Sequence, residues 1–345
     1  MPGLLVRTLR ADEREAVLDL LDQWPLGGPL RGRDFFRLYV DHDPTYRDEN
    51  FQVAEQDGRL VACVQVFPRL LRLRGSVVPT GGIGSVFTSE AARGSGVSSA
   101  LLEAAIADMR ARGMELSLLF AARHAFYARL GWVLWPRPRE LWLRGDAATP
   151  AGEPFDAARD LDEVMALHER SSAPLDGTVV RDRAYWLGQP HFAGNPHEDF
   201  VVARGGDGRV TAYARGCMLG GAYLVTEIGR RGDAEAAEAL AGLVVGLMAP
   251  RASDPVAADA GRDSAEWRRM LVAPVYDDPA LAAALAARGV TVKVFEERTA
   301  MLRVLDADAL VRRTGVSRGM GESDAAYLAR LVPPERFFYW PSDRF

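Results

Sequence analysis

The feature that most limits the possible folds is a weak internal repeat that relates the two halves of the 345-residue chain. Residues 51–63 contain two β-rich runs joined by Asp57-Gly58, and residues 200–213 have the same pattern. An Ala- and Leu-rich helix is predicted after each hairpin, at Ser98–Arg112 and at Asp233–Met248. Because the elements recur in the same order, the sequence predicts two tandem copies of one α/β (α+β) fold, with chance identity as the competing explanation.

The repeat and the composition of the connecting segments predict the domain boundaries. Residues 147–154 are small, polar and rich in proline and glycine, which is typical of a linker. We therefore expect a first domain at 1–146, a second at 147–305, and a helical segment with an aromatic C-terminal tail at 306–345. Since the tail contains four consecutive aromatic residues, Phe337–Trp340, it is expected to be docked against the rest of the protein.

Composition and charge argue against several classes of protein. The net charge of −5 lacks the basic surplus of a nucleic-acid binder, and no apolar run approaches the ~20 residues of a membrane span. Cys63 and Cys217 lie in apolar, strand-like stretches, outside any C-x-x-C or Cys/His pattern, so they predict no metal or redox site. We expect a cytoplasmic protein with no metal, nucleic-acid or membrane partner.

The segment 85–102 contains the strongest chemical signal. A strand runs into a turn that contains Gly94 and Gly96, and the long helix begins directly after it. Free N–H groups at a helix start, with the positive end of the helix dipole, form an anion site that suits a pyrophosphate. Arg93 adds a positive charge, and the glycines allow the backbone to approach a phosphate. The segment predicts a phosphate-binding loop, with an ordinary strand-to-helix turn as the alternative.

The loop differs from the two common nucleotide-binding motifs. The Gly-Lys-Ser/Thr ending of a Walker loop is absent, and a G-x-G-x-x-G fingerprint would require glycine at Ser99. A generic nucleotide-binding α/β protein therefore stays only as an alternative.

The turn resembles the R/Q-x-x-G-x-G/A signature of the GCN5-related N-acetyltransferases (GNAT), with serine at the last position. The resemblance implies that acetyl-CoA is the co-substrate, that the loop binds its pyrophosphate and that the preceding strand splays and pairs with the pantetheine arm. It thus assigns nine residues to cofactor binding: Val86, Phe87, Thr88, Arg93, Gly94, Ser95, Gly96, Val97 and Ser98.

A second match to the GNAT pattern lies downstream at residues 125–132. It resembles the family's F-Y-x-x-x-G-F/Y ending and implies that Tyr127 faces the thioester sulfur. A phenol there can protonate the leaving thiolate, while backbone N–H groups stabilise the oxyanion. A partly buried helical tyrosine with no catalytic role is the alternative.

The tandem copies, the glycine-rich strand at 81–84 and the aromatic tail resemble the Eis-like branch of that family. The branch implies a degenerate second copy, and Asp233 and Leu285 replace the features of the active copy here. It also implies a possible homo-oligomer and a C-terminal carboxylate in the active site, so Phe345 is predicted to act as a general base or amine-binding anion. A merely structural tail is the alternative, since 306–345 is too short for the branch's third domain.

The acceptor side is predicted from the helical region before the first hairpin. Trp24, Phe36 and Asp41 combine aromatic and acidic side chains, which suits a cationic amine, and His124 could relay a proton. Core packing and solvated surface are the alternative explanations. The predicted function is N-acetylation of a primary amine of a small, cationic acceptor of aminoglycoside, polyamine or lysine type. The alternatives are transfer of a longer acyl group, a hydroxyl acceptor, and an acyl-CoA sensor without turnover.

Overall fold

The computed structural model describes residues 4–25, 31–146, 148–192, 198–219, 222–249, 268–274 and 277–345. The strands in these ranges are β1 (Leu4–Thr8), β2 (Phe51–Gln56), β3 (Arg59–Leu73), β4 (Ser76–Thr88), β5 (Leu116–Phe120), β6 (Val133–Leu134), β7 (Arg137–Leu143), β8 (Glu153–Pro154), β9 (Asp199–Arg204), β10 (Val210–Leu219), β11 (Ala222–Arg230), β12 (Met270–Pro274), β13 (Thr291–Glu297) and β14 (Ala300–Val304). The helices are α1 (Arg14–Leu21), α2 (Gly32–His42), α3 (Val97–Ala111), α4 (His124–Ala128), α5 (Ala157–Ser172), α6 (Arg183–Gly188), α7 (Ala234–Leu247), α8 (Pro279–Ala287), α9 (Ala307–Thr314) and α10 (Asp324–Leu331).

The described strands form two mixed sheets of seven strands each. The first has the order β1-β2-β3-β4-β5-β14-β6, and the second has the order β13-β7-β12-β11-β10-β9-β8. Neighbours are antiparallel except for β4 with β5 and β11 with β12, which are parallel. The prediction of two α/β units with mostly antiparallel sheets is confirmed.

The two sheets exchange strands. The strand β14 lies between β5 and β6 in the first sheet, although it belongs to the predicted second domain. The strand β7 belongs to the predicted first domain, yet it lies between β12 and β13 in the second sheet. Sheet pairing thus crosses the boundary predicted at 146/147 in both directions, and the predicted domain ranges stay predictions. Ala147 of the predicted linker lies outside the described residues.

The hairpin between β2 and β3 closes as the sequence predicts. Gln56 pairs with Arg59, and the two residues between them, Asp57 and Gly58, have φ values of 51° and 76°. Positive φ at both central positions defines a type I′ turn, whose twist matches that of antiparallel strands. The strand β1 and the helix α5 were not predicted from the sequence. The predicted helical stretch at 306–330 is divided into α9 and α10.

The long helix α3 packs its apolar face on the first sheet. Leu101, Leu102, Ala105, Ile106 and Met109 are buried at helical spacing. At ~25 cal/mol per Å² of apolar surface, each large side chain in this stripe contributes about 1.5–3 kcal/mol to its docking. The helix is thereby fixed on the sheet with its N-terminus directly after β4.

The aromatic tail is docked, as predicted. Phe337 and Tyr339 belong to the core cluster of the first sheet, whereas Phe338 and Trp340 belong to that of the second. Successive side chains of an extended segment point to opposite sides, so one short tail contributes to both cores. The tail therefore joins the two sheets and leads Phe345 into the space between them.

Candidate active site

The strand β4 separates from its parallel neighbour β5 partway along its length. The parallel pairing ends with Ile83 opposite Leu119, because β5 ends at Phe120 while β4 continues to Thr88. The free edge of β4 beyond Ile83 has no partner strand in the part of the chain that the structure describes. This arrangement is the splay that the family resemblance implies.

A β-bulge lies in β4 at the splay. Gly84 pairs with Gln65 and Phe87 pairs with Cys63, so β4 has one residue more than β3 between these pairs. Ser85 in the bulge has a φ of 48°, and its hydroxyl donates to Gln65 Oε1 at 2.8 Å. Bulges bend the strand that carries them, and left-handed backbone at a serine is strained. The bulge thus explains why β4 leaves β5 at this position.

The three strand residues predicted to contact the pantetheine arm alternate in direction. Val86 is half-buried and packs against the core that contains α3, while Phe87 is buried among α1 and α2. Thr88 Oγ1 lies 2.7 Å from Ser98 Oγ, which ties the end of β4 to the first turn of α3. Their side chains are therefore engaged within the protein, and the groups free for a ligand are on the backbone edge.

The glycine turn leaves the start of α3 open. Gly94 and Gly96 have φ values of 76° and 83°, and a Cβ at either position would meet nothing within 4 Å. Gly96 is the N-cap of α3; the helix has no side-chain cap and no acidic residue in its first turn. Ser95 Oγ donates to the carbonyl of Ala92 at 2.6 Å, and exposed Arg93 lies over the turn, donating to Thr88 O at 3.3 Å. Free N–H groups, a helix dipole and an exposed guanidinium fit a phosphate group.

The second half closes the same position with its own carboxylate. Asp233 is the N-cap of α7 and accepts a hydrogen bond from Ala236 N at 2.8 Å. This carboxylate occupies the site that α3 leaves open, and its negative charge opposes phosphate binding. The residue at the place of Tyr127, Leu285, is buried in the second core. The side-chain cap on α7 thus explains why the helix start can accept an anion in the first half but not at the equivalent position of the second.

Tyr127 lies on the short helix α4, next to the core of the first sheet. Its ring packs edge-to-face on Trp132 with centroids 6.2 Å apart, and its carbonyl accepts from Leu130 N and Trp132 N. Burial raises the pKa of the phenol, against the opposing effect of Arg123, so the hydroxyl keeps its proton at neutral pH. His124, three residues earlier, is half-buried and has no hydrogen-bond partner for Nε2 within the described chain.

The residues predicted on the acceptor side are only partly brought together. Trp24 lies between Phe36 and Phe87, with ring centroids 5.5 Å and 6.0 Å away, so this aromatic group contacts β4 at the splay. Asp41 is exposed on α2, and its neighbour Asp43 is buried in an ion pair with Arg69 at 2.6 Å. The aromatic residues are therefore placed near the site, whereas a carboxylate group for a cationic amine is not assembled with them.

Phe345 lies against the glycine-rich part of β4. Its ring stacks on Phe67 with centroids 5.2 Å apart, and a Cβ on Gly82 would lie 2.4 Å from the ring. Its carbonyl carbon would be 3.3 Å from a Cβ on Gly84, the residue just before the bulge. Glycine at 82 is thus required by the close approach of the Phe345 ring. The structure places Phe345 beside the splay, and its catalytic role stays a prediction.

A cavity of about 500 Å³ lies between the two sheets beside Phe345. Its charged lining, which sequence analysis missed, comprises Arg137, Arg139, Glu297 and Arg344. Arg137 and Arg139 lie on the same face of β7 because they are two residues apart. This i, i+2 spacing is the sequence signal that could have identified the pair. The residues of β7 belong to the predicted first domain and Arg344 belongs to the tail. The sequence therefore did not predict that Arg137 and Arg139 would lie beside Arg344.

Comparison with known proteins matches one part of the chain to a domain family. Residues 6–134 match the model of the acetyltransferase (GNAT) domain. No curated protein matched the chain. Within the described ranges, no helix is long and apolar enough to cross a membrane.

Solved structures share the tandem fold at low sequence identity. A GCN5-related N-acetyltransferase from Kribbella flavida is 21% identical over 90% of this chain and 73% of its own, with a TM-score of 0.60. Eis1 from Mycobacterium abscessus is 18% identical over 90% and 75%, with a TM-score of 0.60. The N-myristoyltransferase of Saccharomyces cerevisiae, solved with myristoyl-CoA, is 14% identical over 87% and 80%, with a TM-score of 0.55. The uncapped start of α3 and the splayed strand β4 both lie within the matched range, and the chain carries an acetyltransferase (GNAT) domain at residues 6–134.

Proposed function

We propose that the enzyme transfers the acetyl group of acetyl-CoA to a primary amine of a small acceptor. The single observation that carries this proposal is the open start of α3, with uncapped Gly96 directly after the splayed strand β4. The pyrophosphate would bind the turn at Arg93–Ser98, and the unpaired edge of β4 would hydrogen-bond the pantetheine arm. The pyrophosphate is anionic, which suits the free N–H groups of the turn, and the pantetheine arm is an extended chain with amide groups, which suits the unpaired edge of a strand.

The proposed chemistry is direct attack of the amine on the thioester. The nitrogen lone pair forms the amide bond, the C–S bond breaks, and the thiolate takes a proton from the Tyr127 hydroxyl. Burial supports this role, because it raises the pKa of the phenol and keeps the proton available. The proton released by the amine would go to solvent or to the α-carboxylate predicted at Phe345, and solvent would return a proton to the Tyr127 phenolate. Backbone N–H groups on the free edge of β4 would stabilise the oxyanion.

The proposal is tested by calorimetric titration with acetyl-CoA. Loss of the guanidinium in Arg93→Ala should weaken binding about tenfold, since a charge-assisted hydrogen bond contributes about 1.5–3 kcal/mol. Arg59→Ala, an exposed arginine on the β2–β3 hairpin, is the matched control and should bind as the wild type does. Thiol release is then measured across amines, with acetyl-, longer acyl- and hydroxyl-acceptor arms. If the wild type binds no acyl-CoA, the proposal is wrong; binding without thiol release from any acceptor would favour a sensor.

A further inference from the structure

The cavity beside Phe345 lies where strands of the first and the second sheet end. Phe120–Ala122 at the end of β5, Glu297 at the end of β13 and Arg344 in the tail line it together. The end of β5 is one side of the splay, and Phe345 packs against β4, the other side. The cavity therefore adjoins the place where the proposed acetyl transfer occurs, and what it binds bears on the acceptor.

Three guanidinium groups converge on this cavity, against one carboxylate side chain and the α-carboxylate predicted at Phe345, which also lines it. Arg137 and Arg139 are both buried, and both approach Glu297 Oε2, with Nε–O distances of 2.7 Å and 3.2 Å. Arg344 contributes the third positive charge from the tail. The charge of Glu297 is shared by two arginines, so Glu297 and the α-carboxylate predicted at Phe345 together compensate two of the three positive charges and leave one in excess.

The unmet hydrogen-bonding capacity is located on two of these arginines. Within the described chain, Nη1 of Arg139 and Nη1 of Arg344 are buried without a hydrogen-bond partner, and Arg139 Nε has only its ion-pair contact with Glu297. The Arg344 Nη2 contact is to Cys217 Sγ at 3.5 Å, and sulfur is a weak acceptor. Burial lowers the pKa of Arg139 to about 10, reinforced by Arg137 and opposed by Glu297, which reflects the same lack of compensating negative charge. Buried donors without acceptors are costly, and an oxyanion supplies several acceptors at once.

We propose that the acceptor carries an anionic group, a carboxylate or a phosphate, that binds Arg139 and Arg344 while its amine is acetylated at the splay. This inference rests on the proposed function and narrows its acceptor class. It departs from the cationic acceptor that the sequence predicts from Trp24, Phe36 and Asp41, because Asp41 is exposed and does not line the cavity. Phe120, Leu224 and Val272 provide apolar surface for the short chain between the two groups.

The first experiment measures anion binding without turnover. Inorganic phosphate and succinate, each titrated separately, should raise the Tm of the wild type, because a ligand of the native state stabilises it by mass action. Arg344→Gln and Arg139→Gln should reduce the shift strongly. Arg344 is half-exposed, whereas Arg139 is buried, so Arg344→Gln should disturb folding less. Arg344→Gln therefore still tests the proposal if Arg139→Gln fails to fold. Arg183→Gln, an exposed arginine paired with exposed Asp162, is the matched control and should keep the full shift.

The second experiment compares kcat/KM for four short amines that differ in the distal group: β-alanine, aminoethyl phosphate, propylamine and putrescine. One of the two anionic amines should exceed propylamine by about tenfold or more, and Arg344→Gln should remove most of that preference. The better of β-alanine and aminoethyl phosphate identifies carboxylate or phosphate as the group recognised.

The outcomes separate this inference from the proposed function. Acetyl transfer that is fastest with propylamine or putrescine overturns the inference and leaves the acetyltransferase proposal intact. An anion-dependent Tm shift that is equal in the wild type and Arg344→Gln also overturns it. If no acyl-CoA binds and no amine releases thiol, the proposed function fails and the substrate inference fails with it.

Discussion

The buried ion cluster that anchors the C-terminal tail should tolerate little change. Arg181 donates to Asp343 from Nε at 2.8 Å and from Nη2 at 2.7 Å, and to Glu227 Oε2 at 2.6 Å. These side chains are fully buried, and Ser342 Oγ donates to Glu227 Oε2 at 2.6 Å. The cluster joins the tail to β11 of the second sheet, and Phe345 follows it by two residues.

We predict that Asp343→Asn lowers the free energy of unfolding by about 3 kcal/mol. The amide keeps one oxygen acceptor but presents N–H groups toward the Arg181 guanidinium, and it removes one of the negative charges that compensate a buried cation. Removing one partner of a buried pair costs about 3–5 kcal/mol, and the retained acceptor places the change at the lower end. With an m value of ~3 kcal/mol/M, the urea midpoint should fall by about 1 M.

The assay is urea unfolding followed by circular dichroism, with acetyl transfer measured on the same samples. Asp162→Asn is the matched control, because Asp162 pairs with Arg183 while both side chains are exposed. An exposed pair contributes about 0–1 kcal/mol, so the control should unfold near the wild-type midpoint. Asp343→Asn should also transfer acetyl groups more slowly, since it loosens the segment that holds Phe345 beside β4. Equal midpoints for the two variants would refute the assignment of the cluster as a structural anchor.

Three further predictions concern the site and the core. Tyr127→Phe should lower kcat about 100-fold and leave acetyl-CoA affinity within twofold in calorimetry, because it removes the proposed acid without altering the loop; an unchanged kcat would exclude that role. Gly96→Ala should weaken acetyl-CoA binding about tenfold and cost about 1 kcal/mol of stability, because φ is 83° there. Gly58→Ala has the same strain at φ 76° in the hairpin and should lose stability alone; equal binding by both variants would contradict the loop assignment. Burial raises the pKa of the Cys63 thiol to about 12, so iodoacetamide at pH 8 should label it only after unfolding, as mass spectrometry would show. The unfolded thiol ionises near pH 8.5, so this group's contribution to stability is complete below that pH and decreases as pH rises toward 12; rapid labelling of the native protein would contradict the burial.

The local parts of the fold could be predicted from sequence. Asp57-Gly58 specifies its turn through backbone preference alone, and the apolar spacing of α3 specifies its buried face. The glycine turn at 94–96 was identified for the same reason, since positive φ and an uncapped helix start depend on nearby residues. Each of these features is determined within a few residues of the chain.

The features that were not predicted depend on contacts between distant segments. The position of β14 beside β5 is determined by which sheet has a free edge, and Ala300–Val304 alone contains no such information. The cavity was missed for the same reason, because Arg139 and Arg344 meet only after β7 and the tail are placed. The acceptor side predicted at Trp24, Phe36 and Asp41 stays a prediction, since the two aromatic residues meet at the splay but sequence proximity does not determine where the Asp41 side chain points.

The exchange of β7 and β14 between the sheets has a consequence for how the enzyme is made. During synthesis the ribosome releases the glycine turn at 94–96 long before β14, so the first sheet has an open edge at β5 until nearly the whole chain has emerged. Closing that edge requires pairing between segments far apart in sequence, which is slow and leaves a strand edge free for intermolecular pairing. In the second half Asp233 caps the corresponding helix, yet this half delivers the strand that completes the first sheet. A chain that ended after residue 134 would therefore lack β14 and leave the edge of β5 unpaired.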